Sequence, residues 1–270
     1  MFHNLSNDTL YMAVKLTASF MVPTVEKPYG KCGTGFFVYD SNRELWLVTN
    51  RHILEADYGK AGAEFRSAQL TDLKIATFVW PITKQLQRAH RVIPTPVTLT
   101  VDPVLLQNLL FPANRDEDVA CLRCGTLRTQ SGDSALLGNV WSLSVLADDD
   151  WIEDNLEVCD FVAFPGYPPW HDKLDGRPIL RTGTIASDPR TNYSNLPTSL
   201  GRRVAYEAFS FDGSSGSPVI AVLKTDPSLP ADGRRPKVIG INAGRLLAEY
   251  STHSGISYFI KSSAILELLR

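Results

Sequence analysis

Phe211-Asp212-Gly213-Ser214-Ser215-Gly216-Ser217-Pro218-Val219 sets a serine pair between two glycines, with a strand-like run on either side. Glycine lets nearby backbone N–H groups converge on one point. A serine in such a turn can be a nucleophile with anion-binding amides beside it. The plain alternative is a flexible hairpin turn, and this stretch alone leaves both open.

The surrounding sequence reads as β. Gly35 to Tyr39, Leu45 to Thr49 and Val238 to Ile241 are short apolar runs. Asp40-Ser41-Asn42, Pro189 to Asn192 and Pro227 to Gly233 break them. That spacing predicts an all-β sandwich or barrel. Ala13 to Pro23 alternates and reads as a first strand. Helical signals are few. Asp8 or Thr9 can cap a turn, Ile53 to Ala56 suits another, and Ser262 or Ser263 can cap Ala264 to Leu269. The acidic run Asp148 to Asp154 reads as a connection, dividing the chain into lobes at 1–147 and 148–270.

The 270 residues suit one large β domain or two lobes sharing a cleft. With 44% hydrophobic and 21% charged residues, the chain can bury a core and is not intrinsically disordered. Its net charge of -2 offers no basic excess for nucleic acid or an anionic membrane. No run approaches a membrane span, and the first residues lack a basic segment ahead of a long apolar core. A cytoplasmic protein is expected. Cys121-Leu122-Arg123-Cys124 is a single CxxC, and on a strand its two side chains point to opposite faces. With Cys32 and Cys159 it reads as free thiols, and no metal or other cofactor is expected.

A nucleophilic serine needs a base. Of the five histidines, His52 follows the run Leu45 to Thr49 and precedes a short helical turn, a position that suits a fixed imidazole. A carboxylate must orient that ring. Asp118 abuts the apolar run Val119 to Leu122 and reads as half buried, whereas Asp116 and Glu117 read as solvated loop residues.

In the order His, Asp, Ser these segments resemble the chymotrypsin-fold, trypsin-like serine peptidases. The similarity is closest to the compact, disulfide-free bacterial group that includes the HtrA protease domains. Gly33-Thr34-Gly35-Phe36 resembles the family's G-x-G-F strand, and Leu47 to His52 its LVTNxH segment. Asp118-Val119-Ala120-Cys121-Leu122 is similar to D-[IV]-A-x-L, and Gly213 to Pro218 to G-[ND]-S-G-G-P. Val238 to Asn242 resembles the strand beside the substrate, and Gly255 to Ile260 the last barrel strand. The serine-hydrolase elbow G-x-S-x-G fits neither serine, and its Ser-Asp-His chain order is absent.

The resemblance implies two six-stranded antiparallel β-barrels with a short C-terminal helix. It implies a serine endopeptidase in which Ser215 attacks, His52 carries the proton and Asp118 orients the ring, with Gly213 and Ser215 N–H groups binding the oxyanion. It places a substrate pocket at Phe209 to Asp212 and at Ile241, Asn242, Ala243 and Gly244, the last three able to pair with an extended peptide. Phe209, rather than an acid, at the pocket base implies a small or apolar P1 side chain. Two departures stand out: Ser214 where the family has Asp or Asn, and Ser217 where it has glycine. They keep open a second reading, a catalytically silent or latent module that binds a peptide or protein partner. Phe164 to Asp172 reads as a packing loop rich in aromatics and proline.

Overall fold

The computed structural model describes residues 5–23, 29–59, 65–80, 93–133, 137–224, 235–248 and 252–270. The expected turn at Pro227 to Gly233 lies outside them. Period-2 alternation shapes the first strand, β1 (Ala13–Met21): Val14, Leu16, Ala18 and Phe20 are buried while Lys15, Thr17 and Ser19 are only partly covered. It pairs antiparallel with β2 (Tyr29–Tyr39) and with β4 (Gln69–Val79). The sheet is completed by β3 (Leu45–Thr49), β5 (Thr95–Thr100), β6 (Leu109–Leu110), β7 (Ala120–Arg123) and β8 (Arg128–Thr129). Its order is β6-β7-β3-β2-β1-β4-β5-β8, with β9 (Trp141–Ser142) beside β2.

The remaining strands, β10 (Phe161–Gly166), β11 (Ile179–Ile185), β12 (Arg203–Glu207), β13 (Pro218–Ala221), β14 (Lys237–Leu247) and β15 (His253–Lys261), close a barrel in the order β10-β11-β12-β15-β14-β13. The fold is thus chymotrypsin-like, with one closed six-stranded barrel. The second closed barrel expected from sequence is a half-barrel. Its edge strands β6 and β8 have two residues each and do not pair with one another among the described residues, so the sheet stays open.

Among the described residues there are three short α-helices: α1 (Arg51–Leu54) and α2 (Asp149–Asn155) between strands, and α3 (Ser263–Leu269) after the last one. The acidic run expected as a plain connection is α2. Asp148 caps it, accepting from Trp151 N at 3.0 Å, and acids in its first turn suit the helix dipole. Ile152 and, just past the helix, Leu156 are four residues apart and enter the barrel core together. The N-terminal turn is a 3-10 helix, Asn7–Met12, capped by Ser6 rather than by Asp8 or Thr9. Ser262 is the N-cap residue of α3, but its hydroxyl donates to the Ala147 carbonyl instead of capping.

A core shared between the lobes holds the cleft. Phe36, Val38, Val48, Val119 and Cys121 of the open sheet pack with Ile220, Val238, Ile241 and Ile260 of the barrel, and Ala264, Ile265, Leu266 and Leu269 of α3 close it. Cys124 points the other way, into the core of the open sheet, as strand alternation requires. Burial pushes both thiols up, Cys124 to about 12, so neither is a ready thiolate.

Candidate active site

β3 ends at Thr49, and Asn50 stands at the N-cap position of the helical turn that carries His52, without a side-chain capping bond. Lys31 holds this turn from β2, donating from Nζ to the carbonyls of His52 at 2.5 Å, Glu55 at 2.8 Å and Ala56 at 3.2 Å. Those are carbonyls a helix end leaves unsatisfied. Asp118 comes from the loop before β7 and is 7% exposed. Its Oδ2 lies 2.6 Å from His52 Nδ1, and its Oδ1 accepts from His52 N at 2.9 Å. Asn50 Nδ2 donates to the Asp118 carbonyl at 2.6 Å, tying the two segments a third time. His52 Nε2 has no hydrogen-bond partner among the described residues.

Glu117 differs from its expected solvated state. It is 3% exposed, and both its oxygens meet the Arg202 guanidinium, at 2.6 and 2.7 Å. Arg202 also reaches Glu267 of α3. The neighbour of Asp118 is therefore fixed to the barrel and to the C-terminal helix, a contact that local polarity could not reveal. Asp116 Oδ2 accepts from Leu200 N at 2.9 Å.

The serine stretch folds as two successive β-turns. Ser214 N donates to the Phe211 carbonyl at 2.9 Å, and Ser217 N to the Ser214 carbonyl at 3.1 Å. The third residue of each turn is a glycine at positive φ, Gly213 at 84° and Gly216 at 88°. Neither position accepts a side chain. A Cβ on Gly213 would sit 2.3 Å from the Tyr167 carbonyl oxygen, and one on Gly216 1.8 Å from that of Thr34. Gly216 N donates to the Asn242 carbonyl. The N–H groups of Gly213 and Ser215 donate to no acceptor among the described residues, so the turns leave two amides, two residues apart, available to an anion.

Thr34 and Asn242 hold this turn. Thr34 N donates to the Ser215 carbonyl at 2.7 Å, while Thr49 Oγ1 donates to the Thr34 carbonyl at 2.7 Å. Gly33 faces both Ile53, beside His52, and the Ser215 carbonyl. The serine turn and the histidine turn therefore meet over Gly33-Thr34. Asn242 Nδ2 donates to the Ser214 carbonyl at 2.9 Å, and Tyr206 Oη donates to Asn242 Oδ1 at 2.7 Å. The hydroxyls of Ser214 and Ser217 are buried without a partner among the described residues, and Ser217 Oγ packs on Gly166.

The other expected pocket residues divide. Phe209 is half exposed and lies 4.9 Å, ring to ring, from His253; Ser210 N donates to His253 Nε2 at 3.2 Å. The Asp212 carboxylate is engaged by Arg245 at 3.1 Å. Ile241, Asn242 and Ala243 turn their side chains into the protein, and the Asn242 N–H and carbonyl are bonded to Ser217 and Gly216, so any backbone offered to the cleft lies beyond Asn242. Gly244 sits against Tyr258. Sequence reasoning gave Lys31, Thr34, Asn50 and Tyr206 no role. Only Thr34 carried a signal, its place between two glycines.

The segment expected as a loop at Phe164 to Asp172 begins as the end of β10, through Gly166; in the loop that follows, His171 is buried, its Nδ1 2.7 Å from the Pro168 carbonyl and its Nε2 3.4 Å from Lys15 Nζ. Trp170 lies half exposed against Phe211, with ring centroids 4.3 Å apart. Among the described residues no group of three or more His, Cys, Asp or Glu side chains is placed to hold a metal ion.

Comparison with known proteins gives the family and the fold. A family model described as the trypsin-like peptidase domain matches residues 33–224. The chain belongs to this family. As a trypsin-like peptidase domain it is similar in fold to a thermostable serine protease, AL20, from an extremophilic microorganism. The TM-score is 0.50 and the identity 12%, over 97% of this chain and 96% of the other. No curated protein sequence matches the trypsin-like domain significantly.

Proposed function

We propose that this trypsin-like peptidase domain is an active serine endopeptidase. The observation that carries the reading is one turn with two free amides, next to a histidine whose Nδ1 is held by a buried carboxylate. Ser215 Oγ attacks the scissile carbonyl, and His52 Nε2 takes its proton and returns it to the leaving amine. Asp118 keeps the Nδ1–H tautomer and stabilises the imidazolium. Gly213 and Ser215 N–H groups receive the negative charge that develops on the carbonyl oxygen.

The substrate is a protein or peptide, bound in extended form. Pairing of β14 with β13 ends at Ile241, while pairing with β15 continues to Leu247, which leaves one edge of β14 for a peptide strand. The P1 side chain is small or apolar. Phe209 and Phe211 line this segment, and the one carboxylate in it, that of Asp212, is paired with Arg245 at the rim. Four unbridged cysteines support kinship with the disulfide-free, HtrA-like bacterial domains and work in a reducing cytoplasm, without cofactor.

The test is labelling by a fluorophosphonate probe of the wild type and of Ser215→Ala. Labelling of the wild type alone supports the reading. No labelling of a folded wild type overturns it in favour of a silent or latent module that binds a peptide or a regulatory protein.

A further inference from the structure

We propose that Thr34 is a positioning residue for the anion-binding turn, its hydroxyl holding the Gly213 carbonyl from the opposite lobe; this rests on the peptidase reading above. Thr34 lies on β2 of the open sheet and is fully buried. Its Oγ1 donates to the Gly213 carbonyl at 2.6 Å and accepts from Tyr167 N at 3.1 Å. One hydroxyl thus uses its single proton and a lone pair on two segments of the barrel lobe.

The Gly213–Ser214 peptide is held at both ends, by Thr34 at its carbonyl and by Phe211 at its N–H. The Phe211–Ser214 bond alone does not orient the middle of the turn, because type I and type II turns share it. A glycine in the third position permits either. Contacts from outside must therefore select the form, and Thr34 supplies two. It anchors Gly213 directly. It also anchors Tyr167, whose carbonyl oxygen comes so close to Gly213 that no Cβ would fit.

Its main chain extends the same function. Thr34 N holds the Ser215 carbonyl, and Thr49 Oγ1, at the end of the strand leading to His52, holds the Thr34 carbonyl. Thr34 is the junction through which the histidine strand and the two free amides keep one geometry. A threonine suits the place because its β-branch stiffens χ1 and fixes the hydroxyl's direction.

The experiment compares Thr34→Val, which keeps shape and main-chain bonds but loses the hydroxyl, with Thr34→Ser, which restores it. The fluorophosphonate acylation rate at Ser215 and kcat are expected to fall about 10- to 100-fold in Thr34→Val. That is less than the roughly 10²- to 10³-fold loss of an oxyanion donor itself. KM and the pH profile stay as in the wild type, and Thr34→Ser recovers the rate to within a few fold. The Gly213 amide resonance, read by 15N NMR, shifts or broadens in Thr34→Val and not in Thr34→Ser.

A folded Thr34→Val with wild-type rate and an unmoved Gly213 resonance overturns the proposal. So does equal loss in both variants, which would mean packing alone. If the wild type is not labelled yet the Gly213 resonance responds to Val and not to Ser, the peptidase reading fails while the positioning role stands.

Discussion

Arg202 closes its guanidinium on the Glu117 carboxylate, Nε to Oε1 at 2.6 Å and Nη2 to Oε2 at 2.7 Å, one residue before Asp118. The pair links the loop that carries Asp118 to the barrel, and through Glu267 to α3. The Glu117 side chain is 4% exposed, so removing its partner strands a buried charge. Arg202→Met is expected to destabilise the protein by about 3–5 kcal/mol in urea unfolding, and Glu117→Gln with Arg202→Met by clearly less. A double variant that loses as much as Arg202→Met and Glu117→Gln added together would show that the pair is not coupled.

Asp118→Asn tests the orienting carboxylate. The amide oxygen can still accept from His52 N, but the amide nitrogen then faces Nδ1 and forces the ring proton onto Nε2. A ring protonated there cannot accept from Ser215. The expected result is a fall in kcat of about 10⁴-fold with little change in KM.

Gly213→Ala tests the turn. The new methyl meets the Tyr167 carbonyl oxygen at 2.3 Å on a backbone with φ of 84°, so the turn must move and its amide with it. A kcat loss of about 10²- to 10³-fold is expected in a protein that still folds, as judged by circular dichroism.

His171 gives a pH dependence of stability outside the candidate site. Burial lowers its pKa, and Lys15 and Lys173 add to this, while the Pro168 carbonyl and Asp172 oppose it. The unfolded chain therefore binds the proton at higher pH than the folded one. The contribution is complete above the ordinary histidine value of about 6.5 and is lost as pH falls below it. His253 is lowered in the same direction, mainly by burial. Thermal unfolding between pH 7.5 and 5 should show a falling Tm in the wild type and a shallower fall in His171→Gln. Parallel curves would exclude His171 as a source.

Legibility in the sequence followed the range of the interaction. The alternating run 13–23 and the apolar runs 35–39, 45–49 and 238–241 carry their own β signal, and each falls in a strand, the first of them as far as Met21. The opposite facing of Cys121 and Cys124 is a local consequence of strand geometry, and burial of both follows it. The helix within the acidic connection 148–154 was not legible because its charges mask the spacing of Ile152 and Leu156, which matters only once a barrel core lies beneath them. Closure of the first sheet was misread because strand pairing at its two edges is a long-range event with no local signal.

The candidate site divides the same way. By itself the sequence determined the chain order of His52, Asp118 and Ser215, and the two glycines that permit left-handed backbone at Gly213 and Gly216. These are properties of residue type and spacing. Only the tertiary structure decided that Glu117 is buried on Arg202, that Asn242 faces Ser214 and Tyr206 rather than the cleft, and that Thr34 holds Gly213 across 179 positions of chain. A hydrogen bond between groups that far apart forms only where a shared core brings two lobes together, and nothing in either local segment specifies its partner.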